Sequence, residues 1–170
     1  MKPRKLLFTA SLLFFVVMHS CSQQSNSGTS SLLGVFVAST PCSQGSRPLP
    51  GISVNTDCEF IKWKLTLYQD ASTKSPATYT LHYAYGVPKQ GTTGFIEGGK
   101  KVEMKGTWTI SKGMGSDSNA IVYQLHDQKT GKTISLVRLN DHLLHLLDSD
   151  RHLMIGSAAW SYTLNKVDNK

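Results

Sequence analysis

Asp57-Cys58-Glu59-Phe60-Ile61-Lys62-Trp63-Lys64-Leu65-Thr66-Leu67-Tyr68 is the stretch on which the fold turns. Ile61, Trp63, Leu65 and Leu67 alternate with Lys62, Lys64 and Thr66, the period of two that marks a strand with one dry and one wet face. A cysteine stands at its leading edge. A second, Cys42, follows Pro41 at the end of an earlier apolar run, Leu32 to Ala38, which predicts a first strand despite Gly34. Pro41 to Thr56 holds three prolines and two glycines and predicts a loop.

Downstream, everything reads as further strand able to pair with this one. In Thr78 to Tyr85, the side chains Tyr79, Leu81, Tyr83 and Tyr85 share one face. Gly86 to Gly91 breaks the pattern, and a short strand is expected around Phe95-Ile96. Lys101 to Ile110 places Val102, Met104, Trp108 and Ile110 inward, with Gly106 expected at a bulge or bend. Ser111 to Ser118 has turn chemistry throughout. Ala120 to His126 and Thr133 to Leu139 form a pair across Asp127 to Lys132, and Leu143 to Leu147 and Leu153 to Ile155 flank Asp148 to Arg151. Trp160 to Leu164 closes the series, and Asn165 to Lys170 is a tail. About nine short strands with no convincing helix imply an all-β antiparallel sandwich or barrel. Closure removes exposed edges, so we expect a barrel over 32–165.

The N-terminal end carries targeting chemistry. Lys2, Arg4 and Lys5 precede an apolar run, Leu6 to Met18, broken only by Thr9 and Ser11. That run is short of the ~20 residues a bilayer span needs, so residues 1–20 read as a signal peptide. Cys21 follows directly, as in a bacterial lipoprotein signal, where the thiol is acylated and becomes the first residue. An ordinary secretory signal beside a cysteine is the alternative. Polar Ser22 to Ser31 reads as a tether, making 21–31 a flexible arm. Ser22 is not the Asp that holds lipoproteins at the inner membrane. That favours the outer membrane, on its periplasmic face.

Loss of 1–20 lowers the formal charge from +7 to +4, because three basic and no acidic residues leave. The lysines are scattered singly, which argues against a nucleic-acid partner. Of the three cysteines, Cys21 goes to lipid, leaving Cys42 and Cys58 as an even pair in an oxidising setting. Their bridge closes a loop of 17 residues, which contributes about 3 kcal/mol on the chain-entropy estimate.

Little here points to chemistry. His142 and His145, with Asp141 and Asp148 nearby, have the composition of a metal patch. A separation of three along a strand puts the two imidazoles on opposite faces, so both read as solvent-facing. No thiol is left for a nucleophile, no glycine-framed serine elbow occurs, and Gly98-Gly99-Lys100 lacks phosphate-loop spacing. We expect no enzyme, no cofactor and no metal. The strand aromatics read first as core; in a wider barrel Trp63, Tyr83, Trp108 and Tyr123 would line a cup for a small apolar ligand.

Pro41-Cys42, then Asp57-Cys58-Glu59-Phe60-Ile61 and Leu65-Thr66-Leu67-Tyr68, resemble the N-terminal domain of NlpE-type lipoproteins. There a Pro-Cys-x-x-Cys-x-Gly-Ile segment precedes a strand reading like Thr-Leu-Thr-Leu. Ala77 to Leu81 is similar to that family's next strand, Gly106 to Ile110 to its Gly-x-Trp strand, and Leu143 to Asp148 to its Leu-x-x-Leu-Asp segment. Two departures stand out: 15 residues separate Cys42 from Cys58, and Phe60 replaces glycine. The resemblance implies a lipid-anchored envelope protein with a lipocalin-like barrel, associated with copper tolerance and with signalling envelope stress to a sensor kinase. The smaller second barrel of full-length signalling members is not expected here. Two function classes stay open: an interaction protein with an envelope-protein partner, or a carrier of a small apolar or amphipathic ligand.

Overall fold

A computed structural model of the chain describes residues 29–42, 49, 52–53, 55–115 and 117–168. The signal peptide, Cys21 and residues 22–28 of the tether lie outside the described residues. Eight strands follow in order: β1 Ser30–Pro41, β2 Phe60–Asp70, β3 Pro76–Gly86, β4 Lys100–Met114, β5 Asp117–Asp127, β6 Thr133–Arg138, β7 Leu143–Leu146 and β8 Thr163–Val167. Each pairs antiparallel with its neighbour in sequence, and β8 pairs back onto β1, so the sheet closes. The chain is an all-β antiparallel barrel of the lipocalin-like kind, with eight strands where about nine were expected.

The alternation in β2 sets the interior. Ile61, Trp63, Leu65 and Leu67 are buried and lie in register with Tyr85, Tyr83, Leu81 and Tyr79 of β3. Lys62 and Lys64 point outward beside Ala84 and His82. At one end of the barrel, Cys42 and Cys58 form the expected disulfide, with Cα atoms 5.4 Å apart. Leu49 and Ile52 from the intervening loop join the same apolar core. Both are buried.

Several elements depart from the sequence reading. No strand forms at Phe95-Ile96. Phe95 makes one isolated bridge to Pro88 before a single 3-10 turn, Ile96–Gly98. Positive φ at Gly91, Gly98 and Gly99 ends any extended run there. Ser111 to Ser118 is not all turn, because β4 continues to Met114 and β5 begins at Asp117. The reason is a second apolar cluster outside the barrel: Ala120, Val122, Val137 and Leu147, with Met114 packed against them. The turn after β7 folds back over β5 and β6 and supplies Leu147. Hence Val122 is fully buried although it faces away from the main core.

Leu153 to Ile155 forms no strand: it contributes the bridge Leu147–Leu153 and the Met154 N–H bond to the Leu146 carbonyl, and Ile155 is 89% exposed. The closing strand begins at Thr163, not Trp160. Ser157 and Trp160 bond to each other's backbone in a local turn. The Trp160 ring lies against Phe60, with centroids 4.4 Å apart. Ile110 is half exposed, because it sits where the β4–β5 hairpin leaves the core. Gly106 marks no bulge, since pairing runs through it without a shift. A Cβ there would stand 1.9 Å from the His126 carbonyl oxygen, so only glycine permits the approach of β5. At Gly34 the Lys166 side chain takes the same space, 2.7 Å from a notional Cβ.

Strand lengths are uneven. β1 to β4 run 11 to 15 residues, whereas β6 to β8 run 4 to 6. β4 begins pairing with β5 only at Gly106, opposite Asp127. Its first six residues therefore pair with β3 alone.

Candidate functional site

The four aromatics expected around a ligand are all buried but do not converge on one cup. Trp63 and Tyr83 are cross-strand neighbours, and the Trp63 indole N–H donates to Thr40 Oγ1 at 2.8 Å. Thr40 is the last but one residue of β1, close to the disulfide. Trp108 and Tyr123 lie toward the other end, with ring centroids 4.8 Å apart, and the Trp108 indole donates to the Tyr68 carbonyl at 2.6 Å. Between these pairs, Leu65, Leu67, Leu81, Leu125, Leu136, Leu146 and Leu164 are all 0% exposed. A void able to hold water would leave accessible surface on its lining, and these side chains have none. The barrel's middle is packed like an ordinary core.

Burial also sets the tyrosine chemistry. Tyr79 is 1% exposed and its hydroxyl has no partner. Desolvation, followed by the nearby Asp127 carboxylate, pushes its phenol up to about 12. Desolvation likewise raises Tyr83 and Tyr123. Asp127 is held well down: the Thr130 hydroxyl donates to its carboxylate, outweighing partial burial, and the Thr130 and Lys129 backbone N–H groups add to it. That carboxylate fastens the β5–β6 turn.

Among the described residues, His142 and His145 join no group of three close metal-ligating side chains. His142 lies outside the strands and is exposed. His145 departs from its expected solvent-facing position. It is half-buried, with Nδ1 2.8 Å from Thr163 Oγ1 and Nε2 2.9 Å from the Met154 carbonyl. The segment after the β7 turn runs across the barrel's outer face and covers it. His126 is bracketed between Thr109 and Thr133 in the same manner. A different trio, Asp148, Asp150 and His152, has ligand atoms within 4.8 Å of one another. All three are exposed, and Asp148 Oδ1 already accepts the backbone N–H groups of Asp150 and His152.

The lysines are gathered more than their scatter in sequence suggests. Register places Lys62 and Lys64 of β2 and Lys101 and Lys105 of β4 on the outer face, with β3 between them. One carboxylate, Glu103, stands in their midst, paired with Lys105 and 3.6 Å from His82. Its bond to Lys105 holds it below the usual carboxylate range. Lysines at even spacing on two strands, Lys62 with Lys64 and Lys101 with Lys105, were the signal, and it is readable only once β2 and β4 are known to flank β3. Beside this face, a surface cavity of about 520 Å³ opens between β4 and the β5–β6 turn.

No protein-family model, curated protein or solved structure matches this chain. The reading of its function therefore rests on its own residues.

Proposed function

We propose that this chain is a lipid-anchored, NlpE-like lipoprotein of the cell envelope. In this reading its barrel is a non-catalytic scaffold for contact with another envelope protein. The single observation that carries the interaction reading over the carrier reading is the packed interior. A barrel whose middle is filled by leucines leaves its outer surface and edges for contact. The disulfide suits an exported protein, and the basic start, the short apolar run and Cys21 supply the anchor. The resemblance also suggests a part in copper tolerance. With Cys42 and Cys58 joined, the trio gathered on the surface is oxygen-rich, unlike the soft sulfur ligands that Cu(I) takes.

Mass spectrometry of the membrane-extracted protein tests the anchor. We expect an N-terminal peptide beginning at Cys21 and carrying acyl chains, and release of the protein from membranes in Cys21→Ser. An unmodified mature N-terminus contradicts the reading.

A further inference from the structure

The first stretch of β4, Lys100 to Lys105, is an open sheet edge. Gln128 N–H donates to the Lys105 carbonyl at 3.0 Å, and Val102 and Met104 face Tyr83 and Leu81 across the β3 pairing. Backbone groups alternate sides along a strand, so Lys101 and Glu103 aim theirs away from β3. Among the described residues, no backbone group meets them there. The 520 Å³ cavity occupies this side, lined by Tyr83, Val102 and Met104 on one wall and by Asp127, Gln128 and Thr130 on the other.

We propose that this edge is the docking site for an extended, acidic segment of a partner protein, added to the sheet as an extra strand beside β4. The proposal rests on the interaction reading above and supplies the partner's chemistry. An added strand continues the face alternation of β4. Its inward side chains fall beside Val102 and Met104, where apolar groups enter the cavity. Its outward side chains fall beside Lys101 and Lys105, with Lys100 and Lys129 close by, where carboxylates are favoured. A second copy of this chain is a poor occupant. Antiparallel pairing of two such edges about Glu103 sets Glu103 against Glu103 and Lys101 against Lys105, all like charges. The pattern repels itself and selects an acidic strand of alternating apolar and charged residues.

The test uses the full chain and a short synthetic peptide of alternating aspartate and valine. Two controls accompany it: the same peptide with lysine for aspartate, and the acidic peptide N-methylated at alternate residues. We expect saturable binding of the acidic peptide alone, with new hydrogen-exchange protection at the Lys101 and Glu103 amides. The double variant Lys101→Glu, Lys105→Glu should bind it roughly tenfold more weakly, at unchanged melting temperature. Absence of binding, equal binding of the N-methylated peptide, protection elsewhere, or edge-to-edge association of two chains would each overturn the proposal. Lipidation at Cys21 plays no part in this assay, so the two readings fail separately.

Discussion

Tyr79 shows how much one buried polar atom can report. Its ring fills the barrel beside Leu67, but its hydroxyl is unpartnered, a loss of about 1–3 kcal/mol relative to a satisfied group. Tyr79→Phe should therefore raise stability by about 1 kcal/mol at neutral pH. The pH dependence has a definite sign. The folded phenol titrates at about 12, above the ~10 of an unfolded chain. The neutral form is thus favoured in the folded state, and stability is whole below pH ~10. It declines as pH rises from there toward ~12, by up to roughly 2–3 kcal/mol. Tyr79→Phe should lose that part of the alkaline decline. Urea unfolding of both proteins at neutral and alkaline pH measures it. A variant less stable than the parent at both would mean that the hydroxyl is satisfied after all.

At the scale of elements, the disulfide stands beside two core side chains from the segment it closes, Leu49 and Ile52. Cys42 extends the β1–β2 ladder by donating its N–H to the Glu59 carbonyl at 2.8 Å, and Cys58 ties the far end of the loop to it. Replacing Cys58 by serine should cost about 2–5 kcal/mol and expose Leu49 and Ile52, measurable as a lower urea midpoint and faster proteolysis between 43 and 57. An unchanged midpoint would show that the loop seats itself without the bridge. Much of this level was legible. Period-two runs placed β2 and β3 to within three residues at either end, because one face meets the core and the other meets water. The strand over Ala120 to His126 was legible too, but the covering of its outer face was not. Ala120-Ile121-Val122-Tyr123 is apolar throughout because the turn after β7 packs on its outer side. Alternation predicts a strand from Trp160, and local Ser157–Trp160 pairing overrides it.

For the molecule as a whole, strand count and turn spacing imply a sandwich or a barrel, and the cost of bare edges decides for closure, which the structure shows. Strand-length mismatch does not follow, because it depends on where β5 begins to pair with β4. The open edge of β4 and the gathered lysines beside it were hidden for that reason. Trp63, Tyr83, Trp108 and Tyr123 were legible as inward-facing. Whether they line a cup or fill a core depends on packing volumes that alternation does not encode.

The central claim is that this barrel is filled through its middle and acts through its surface. Titration of the full chain with a long-chain fatty acid, followed by tryptophan fluorescence, tests it most directly, since Trp63 and Trp108 report from the two ends of the interior. The account predicts no saturable change in emission. A stoichiometric, saturable quench that disappears when Trp63 is replaced by alanine in a folded variant would contradict it and return the barrel to the ligand carriers.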